Sequence, residues 1–423
     1  MAKSGFMKVA VGGPESTLGT AVARSSRLPV SEAVFLVQKS VNEAKEFITG
    51  RNTQAGYVKV AEECTASVPV NLVASKGIRI ILGSLLGSTA APVQVGAGVV
   101  IVYDGAEDSC KLVVTSDSIS SSIGNYGEEV ADANFGVDGS YALTGKTLAD
   151  VVTDVSAFTG YSAELLYGEE TASAALAVAV DSAQAKSRPV PVHFTSADSG
   201  AYLRVITPNL TSEELPGFSI QADGDGDNRL GAGCIVDSMN ITADLKAKVK
   251  ATFELMMLTV TSGQDGIITP LSVDDMDVLK FSDGLTYIGG EKFCYIKNVS
   301  IDVSNSHGAD EGYCQGKQTK SKHAKGPFAV SGSGTLPVDS SSEAERIKAL
   351  AAEKSSLLTK FSGRNYGNGV RAMVLFDIPS IQYTDDSKSA GDANLEQSLS
   401  WEMIDDLGYD APFAIHMISK EGE

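Results

Sequence analysis

Two stretches of this chain alternate strictly between apolar and polar side chains, and that commits each to a strand with one buried face. In KVKATFELMM, Val249, Ala251, Phe253, Leu255 and Met257 share one face, with Lys248, Lys250, Thr252 and Glu254 opposite. In LEQSLSWEM, Leu395, Leu399, Trp401 and Met403 face one way and Glu396, Ser398, Ser400 and Glu402 the other. A period of two scatters such residues around a helix, so neither stretch can be one. Each follows, across a polar stretch, another strand-like segment: CIVDSMNIT at 234–242 and AMVLFDIPSIQY at 372–383.

The parallel extends upstream. SKGIRIILGSLLG places Ile78, Ile81, Leu82, Leu85 and Leu86 on one helical stripe, with Ser75 to cap its start and Gly87 its end. SSEAERIKALAAEKSSLL does the same with Ile347, Leu350, Ala351, Leu357 and Leu358, and Ser342 with Glu345 reads as its capping box. A strand precedes each helix, ASVPVNLV at 66–73 and FAVSGSGTLPV at 328–338, and another strand-like segment precedes each of those. Strand, loop, strand, helix, strand hairpin therefore occurs twice, with slight identity: DSMNI against DIPSI, FELM against WEMI. The pattern predicts an internal duplication. The fold class expected is mainly β with flanking helices (α+β), built as two tandem sandwich-like units.

Charge divides the chain further. The formal net charge is −19, which argues against a protein built to grip nucleic acid. Residues 101–190 hold fourteen Asp and Glu against four Lys and Arg, a net of −10. This acidic segment has its own strands, GVVIVYDG and KLVVTSDSISSSIG. It also has a helix, TLADVVTDVSAFTG, with Leu148, Val151, Val152 and Val155 on one face. It reads as a small α/β insertion in the first unit. The expected division is an N-terminal arm over 1–29, unit one over 30–100 and 190–265, the insertion over 101–189, and unit two with a C-terminal arm over 266–423.

Searches for chemistry give little. QADGDGDNRLGAGC carries Asp223, Asp225 and Asp227 as a calcium loop begins, but the sixth position is Asn228 and the twelfth Cys234. Those places require glycine and glutamate, so a hairpin tip is the better reading and the three aspartates are only a weak calcium candidate. GSYALTGKT, 139–147, has five residues between Gly139 and Gly145 where a phosphate-binding loop has four, and Thr144 or Thr147 can cap the following helix instead. The histidines (His193, His307, His323, His416) lie far apart and in no nucleophile motif. Cys64, Cys110, Cys234, Cys294 and Cys314 are never spaced as CxxC and read as reduced thiols. No cofactor and no catalytic residue is assigned. No apolar run reaches the length of a bilayer span or a secretory signal, so assembly in a cytoplasm is expected. QGKQTKSKHAKGP, 315–327, stands out as a basic loop on an acidic chain. Lys317, Lys320, Lys322 and Lys325 are there to dock on a neighbour's acidic surface or simply to be solvated.

With these residues in view the chain resembles the tail tube (major tail) proteins of long-tailed bacteriophages. The likeness rests on LPGFSIQADGDGDNRLGAGCIVDSMNITADLKAKVKATFELMML and on the C-terminal run GVRAMVLFDIPSIQYTDDSKSAGDANLEQSLSWEMI. The resemblance implies a structural, non-enzymatic virion protein whose inner strands join those of other subunits in a continuous β-barrel. Rings stack into the conduit for DNA ejection, and DNA passes the lumen without specific binding. It implies as partners the protein itself, a tape-measure protein, a tail terminator and a tail tip, with no membrane, in a virion tail assembled in the host cytoplasm. Two units per chain make a trimeric ring with pseudo-sixfold symmetry the expectation, against the hexamer of single-unit relatives. Under this reading the lysines of 317–325 are candidate inter-ring contacts. The inner tube of a contractile tail is the near alternative. A β-rich surface adhesin, or a tail-associated polysaccharide-degrading enzyme with paired carboxylates, is the alternative of another class.

Overall fold

The computed structural model describes residues 8–44, 57–197, 199–212, 214–224, 227–267, 278–308, 311–315, 317–390, 395–405 and 411–420. The chain begins with β1 (Lys8–Gly12), β2 (Ser26–Arg27), β3 (Val37–Ala44), β4 (Tyr57–Asn71) and helix α1 (Lys76–Leu86). There follow β5 (Gly87–Thr89), β6 (Val93–Tyr103), β7 (Ser109–Val114), β8 (Ser118–Gly124), β9 (Val130–Ala131) and β10 (Ser140–Ala142). Helix α2 (Leu148–Ala157) comes next, then β11 (Tyr161–Tyr167), β12 (Val180–Gln184), β13 (Val190–Thr195) and β14 (Tyr202–Pro208). β15 (Phe218–Gly224), β16 (Asp227–Asp244), β17 (Lys250–Met257) and β18 (Thr259–Ser262) lead to β19 (Lys280–Ile288), β20 (Glu291–Phe293), β21 (Asn298–Ser304) and β22 (Ala329–Pro337). Helix α3 (Ser340–Leu350) precedes β23 (Lys354–Gly367), β24 (Val370–Ala390), β25 (Leu395–Met403) and β26 (Ala414–Ser419). The protein is mainly β with flanking helices, as its alternation requires.

One antiparallel sheet runs through most of the molecule in the order β3-β4-β17-β16-β21-β22-β25-β24. The second four strands repeat the first four: a hairpin-like pair, then the two later strands in reverse order. The register repeats as well. Ser67 on β4 faces Glu254 on β17, and Ser331 on β22 faces Glu402 on β25. Helices α1 and α3 begin eight residues after those two serines, at N-caps Ser75 and Asp339. The apolar face of β17 is buried throughout, Val249 to Met257, as the alternation predicts. On β25, Leu399 and Trp401 are buried, but Leu395 at the strand's first position is exposed.

The early halves of β16 and β24 leave this sheet and enter a second layer. There β16 pairs with β15 and β18, and β24 with β23 and β26. The outer edges repeat too, since β1 pairs with β2 and β15, as β19 does with β20 and β23. Residues 8–27, expected as an arm, are thus a hairpin of the second layer. Gly233 adopts φ +63 where β16 turns from one layer to the other, and a Cβ there would meet the Leu258 side chain at 2.7 Å. Between the layers lies a continuous apolar core that includes Phe218, Phe253, Phe376, Ile301 and Trp401.

Helix α1 follows its sequence closely. Ser75 Oγ accepts from Ile78 N, Gly87 takes the left-handed C-cap, and the Ile78, Ile81, Leu82, Leu85, Leu86 stripe is buried. Helix α3 departs from expectation. Its cap is Asp339, with Ser342 as the third residue of the box, and it ends at Leu350, so that Leu357 and Leu358 lie on strand β23. Its inward face is polar: buried Glu345 accepts from Tyr383 OH (2.5 Å), Ser355 Oγ (2.8 Å) and Lys348 Nζ (2.6 Å). Ile347 and Leu350 point to solvent instead.

The acidic segment has a core of its own around Phe135, Leu148, Val151, Val155 and Phe194. A small sheet, β10-β8-β7-β12 with β9 on β8, packs over β6, which pairs with β11 and β13. The expected boundary at 100/101 falls inside β6, and β13, placed in the first unit by the boundary at 189/190, pairs with β6 and shares this core. β14, expected in the first unit, pairs with β26 of the second and with β5.

Candidate assembly surface

The face of the eight-stranded sheet turned away from the core is built from the polar half of each alternation. Its side chains form rows across the strands. One row runs Ser67, Glu254, Ser238, Ser304; the next Pro69, Thr252, Asn240, Asp302, Ser331, Glu402, Gln382. A third runs Asn71, Lys250, Thr242, Ser300, Ser333, Ser400, Asp385. Short hydroxyl side chains dominate, and neighbours satisfy one another: Ser67 Oγ donates to Glu254 (2.6 Å) and Asn240 Nδ2 to Asp302. Lys250 is the one basic group in these rows, against Glu254, Asp302, Glu402 and Asp385. The surface is smooth, acidic and without aromatic side chains in these rows.

Two strand edges end this sheet. β3 pairs only with β4, and the late half of β24, from Tyr383 on, pairs only with β25 among the described residues. Inside the chain the corresponding edges are joined, because β16 pairs with β21 from Ser238↔Ser304 to Asp244↔Asn298. An exposed edge offers a row of unpaired amides and carbonyls to another chain.

The residues singled out from sequence are placed elsewhere. Asp223 and Asp227 flank the tip of the β15–β16 hairpin, Gly224 opposite Asp227, as the turn reading predicts; Asp225 lies outside the described residues. Asp223 accepts from Gln221 Nε2 (2.7 Å) and Ile267 N, and Asp227 pairs with Arg229 (2.8 Å), so protein donors hold both carboxylates. In the basic loop, Lys320 Nζ donates to Gly308 O and Lys325 Nζ to Asn209 O, while Lys317 and Lys322 are exposed. At the phosphate-loop look-alike, Thr147 caps α2 and the Asp150 carboxylate returns to Thr147 N, so the helix start is already capped by an acid. Cys64, Cys110 and Cys234 are buried thiols; Cys294 and Cys314 are exposed ones.

The fold brings together one cluster that sequence spacing gave no means to find. Where β11 and β13 meet β26, Tyr167 OH lies 2.9 Å from His193 Nδ1, and His193 Nε2 lies 2.9 Å from His416 Nδ1. Beside them Arg188 Nη2 pairs with Asp377 Oδ2 at 2.8 Å, both side chains buried. Burial holds His416 down to about 4, with Arg188 adding to this and Asp377 opposing it. Burial and the neighbouring His416 likewise hold His193 well below its usual value. Along the same seam, Glu164 accepts from Tyr287 OH and Lys292, and Lys360 Nζ donates to Leu166 O. Burial pushes Lys360 down to about 8. Across this seam β11 and β13 meet β19, β20, β23 and β26, which lie far from them in sequence.

No curated protein matches the chain. A family model described as phage tail tube protein matches residues 7–403 of the 423. Neither long alternating strands nor a shared apolar core is specific to one family, but the match spans both four-stranded blocks, the insertion and all three helices. The chain belongs to the phage tail tube protein family, whose members are structural components of the virion tail.

Proposed function

We propose that three copies of this chain form one ring of the tail tube, and that stacked rings make the conduit through which DNA leaves the capsid. The observation that carries this reading is the repeat β3-β4-β17-β16 then β21-β22-β25-β24, joined internally by β16 and β21. The same joint, made between the late half of β24 of one copy and the residues just ahead of β3 in the next, covers the β24 edge and adds no new kind of contact. Its register follows from the internal one. Thr65 stands ten residues before the cap Ser75, as Ala329 stands before the cap Asp339. Their sheet partners Val37 and Ser304 are therefore equivalent. Ser304 faces Ser238, and the position matching Ser238 on β24 is Gln382, the last residue that β23 still pairs, so Val37 of one copy falls at the end of that pairing and the residues before it run antiparallel along β24 from Tyr383 on.

Three copies give a barrel of about 24 strands, wider than the 16–18-stranded barrels that already leave an aqueous channel. Its lumen is the polar face. Carboxylates and hydroxyls there repel or ignore phosphate, so a duplex slides without being held. Each chain is read as two tube units with one insertion. The insertion attaches through β14 and β26, in the layer away from the polar face, and therefore projects from the tube exterior. Mass measurement of isolated rings, with electron microscopy, tests the stoichiometry. Three chains per ring are expected; rings of six full chains would refute it.

A further inference from the structure

The first unit's helix is covered by the second unit, and the second unit's helix is covered by nothing described. Residue 305 onward, just after β21, folds back over unit one. Asn305 Nδ2 donates to Leu85 O (2.8 Å) at the end of α1 and to Val236 O (3.2 Å). His307 N donates to Asp237 Oδ1 (2.9 Å), Lys325 Nζ to Asn209 O (2.6 Å), and Tyr313 OH to Glu62 O (2.9 Å). Both α1 and α3 are eleven residues long from equivalent caps, so Leu86 and Leu350 are the same position. Leu86 is 1 % exposed and Leu350 65 %, with Ile347 one turn earlier at 58 %.

We propose that Ile347 and Leu350 of one copy seat the β3–β4 hairpin of the next copy, as the segment after β21 seats on α1 within one chain. This rests on the ring reading above and assigns it a second lateral contact, behind the sheet rather than along its edge. The residue equivalent to Asn305 is Gln38, one past Val37. Gln38 pairs with Cys64, on the core side of β4, the side on which the helices lie. In the single chain the Gln38 amide is exposed and reaches only Glu62 (2.9 Å). Val60, two positions from Glu62 at a bulge of β4, is an exposed apolar residue. Apolar surface on the helix thus meets an apolar and amide-bearing face on the hairpin. Leaving both in water would forfeit burial of two large aliphatic side chains per joint.

The test uses full-length chain with the exposed thiols removed (Cys294→Ser, Cys314→Ser) and the pair Gln38→Cys, Leu350→Cys added. Oxidation of the assembled protein should give covalent dimers and trimers on denaturing gels, absent from either single-cysteine chain. In parallel, Ile347→Glu with Leu350→Glu, both at exposed positions, should lose ring formation while thermal unfolding by circular dichroism stays unchanged. Rings that form normally with the double glutamate and yield no crosslink overturn this contact and leave the tube reading standing. A crosslink confined within one chain also overturns it, because the occupant is then the chain's own segment. A wild-type chain that never assembles overturns both.

Discussion

At the residue scale the seam between β13 and β26 sets an acid limit on stability. His416 is neutral when folded, and its value falls from 6.5 to about 4 through burial. The unfolded chain therefore binds a proton that the folded chain refuses, throughout the window between those two values. Stability is complete above pH 6.5 and is lost progressively down to about pH 4, by roughly 3 kcal/mol from this one group. His193 adds to the loss in the same direction. Urea unfolding of His416→Gln at pH 7 and pH 5 should show a smaller acid penalty than wild type; an equal penalty would place the sensitivity elsewhere. None of this was legible beforehand. His193 and His416 are 223 positions apart, and no periodicity links a histidine on one strand to a histidine on another. Asp223 and Asp227 were legible as the flanks of a turn because the sixth and twelfth positions lack the glycine and glutamate that calcium geometry demands.

At the scale of elements, α1 could be read almost completely and α3 only at its start. Helix α1 buries an apolar stripe, so cap, stripe and terminating glycine all agree. In α3 the buried groups are Ser342, held by the cap Asp339, and Glu345, whose partners Tyr383 and Ser355 come from strands. Hydrophobic spacing then misleads, because Ile347 and Leu350 face outward and Leu357 and Leu358 belong to the next strand. The basic loop divides in the same way between visible charge and unseen contacts. Lys320 and Lys325 hold backbone carbonyls within the fold, while Lys317 and Lys322 are exposed. Charge reversal at Lys317 and Lys322 should shorten tubes at low salt and leave the monomer's melting temperature unchanged. Reversal at Lys320 should lower the melting temperature itself, since a carboxylate would then lie buried against Gly308 O. Tube length by electron microscopy and calorimetry separate the two.

At the scale of the whole molecule the segment from β11 to β13 packs against β24 and β26. Deleting residues 101–188 should leave ring formation intact, because neither open edge nor the polar face includes them. It should also lower thermal stability, since Asp377 loses its partner Arg188 and the apolar surface of β24 and β26 beside it is bared to water. Loss of polymerisation would move the insertion from the exterior into the assembly contacts. The sequence by itself determined the strands, their buried faces, the first helix and the twofold pattern, because alternation and capping are written in neighbouring residues. Only the tertiary structure decided that the two blocks share one sheet through β16 and β21, that β11 and β13 meet β19, β23 and β26, and which strand edges stay open. Those depend on pairings between residues far apart in the chain, where hydrogen-bond register and buried charge are set by the partner and not by the local pattern.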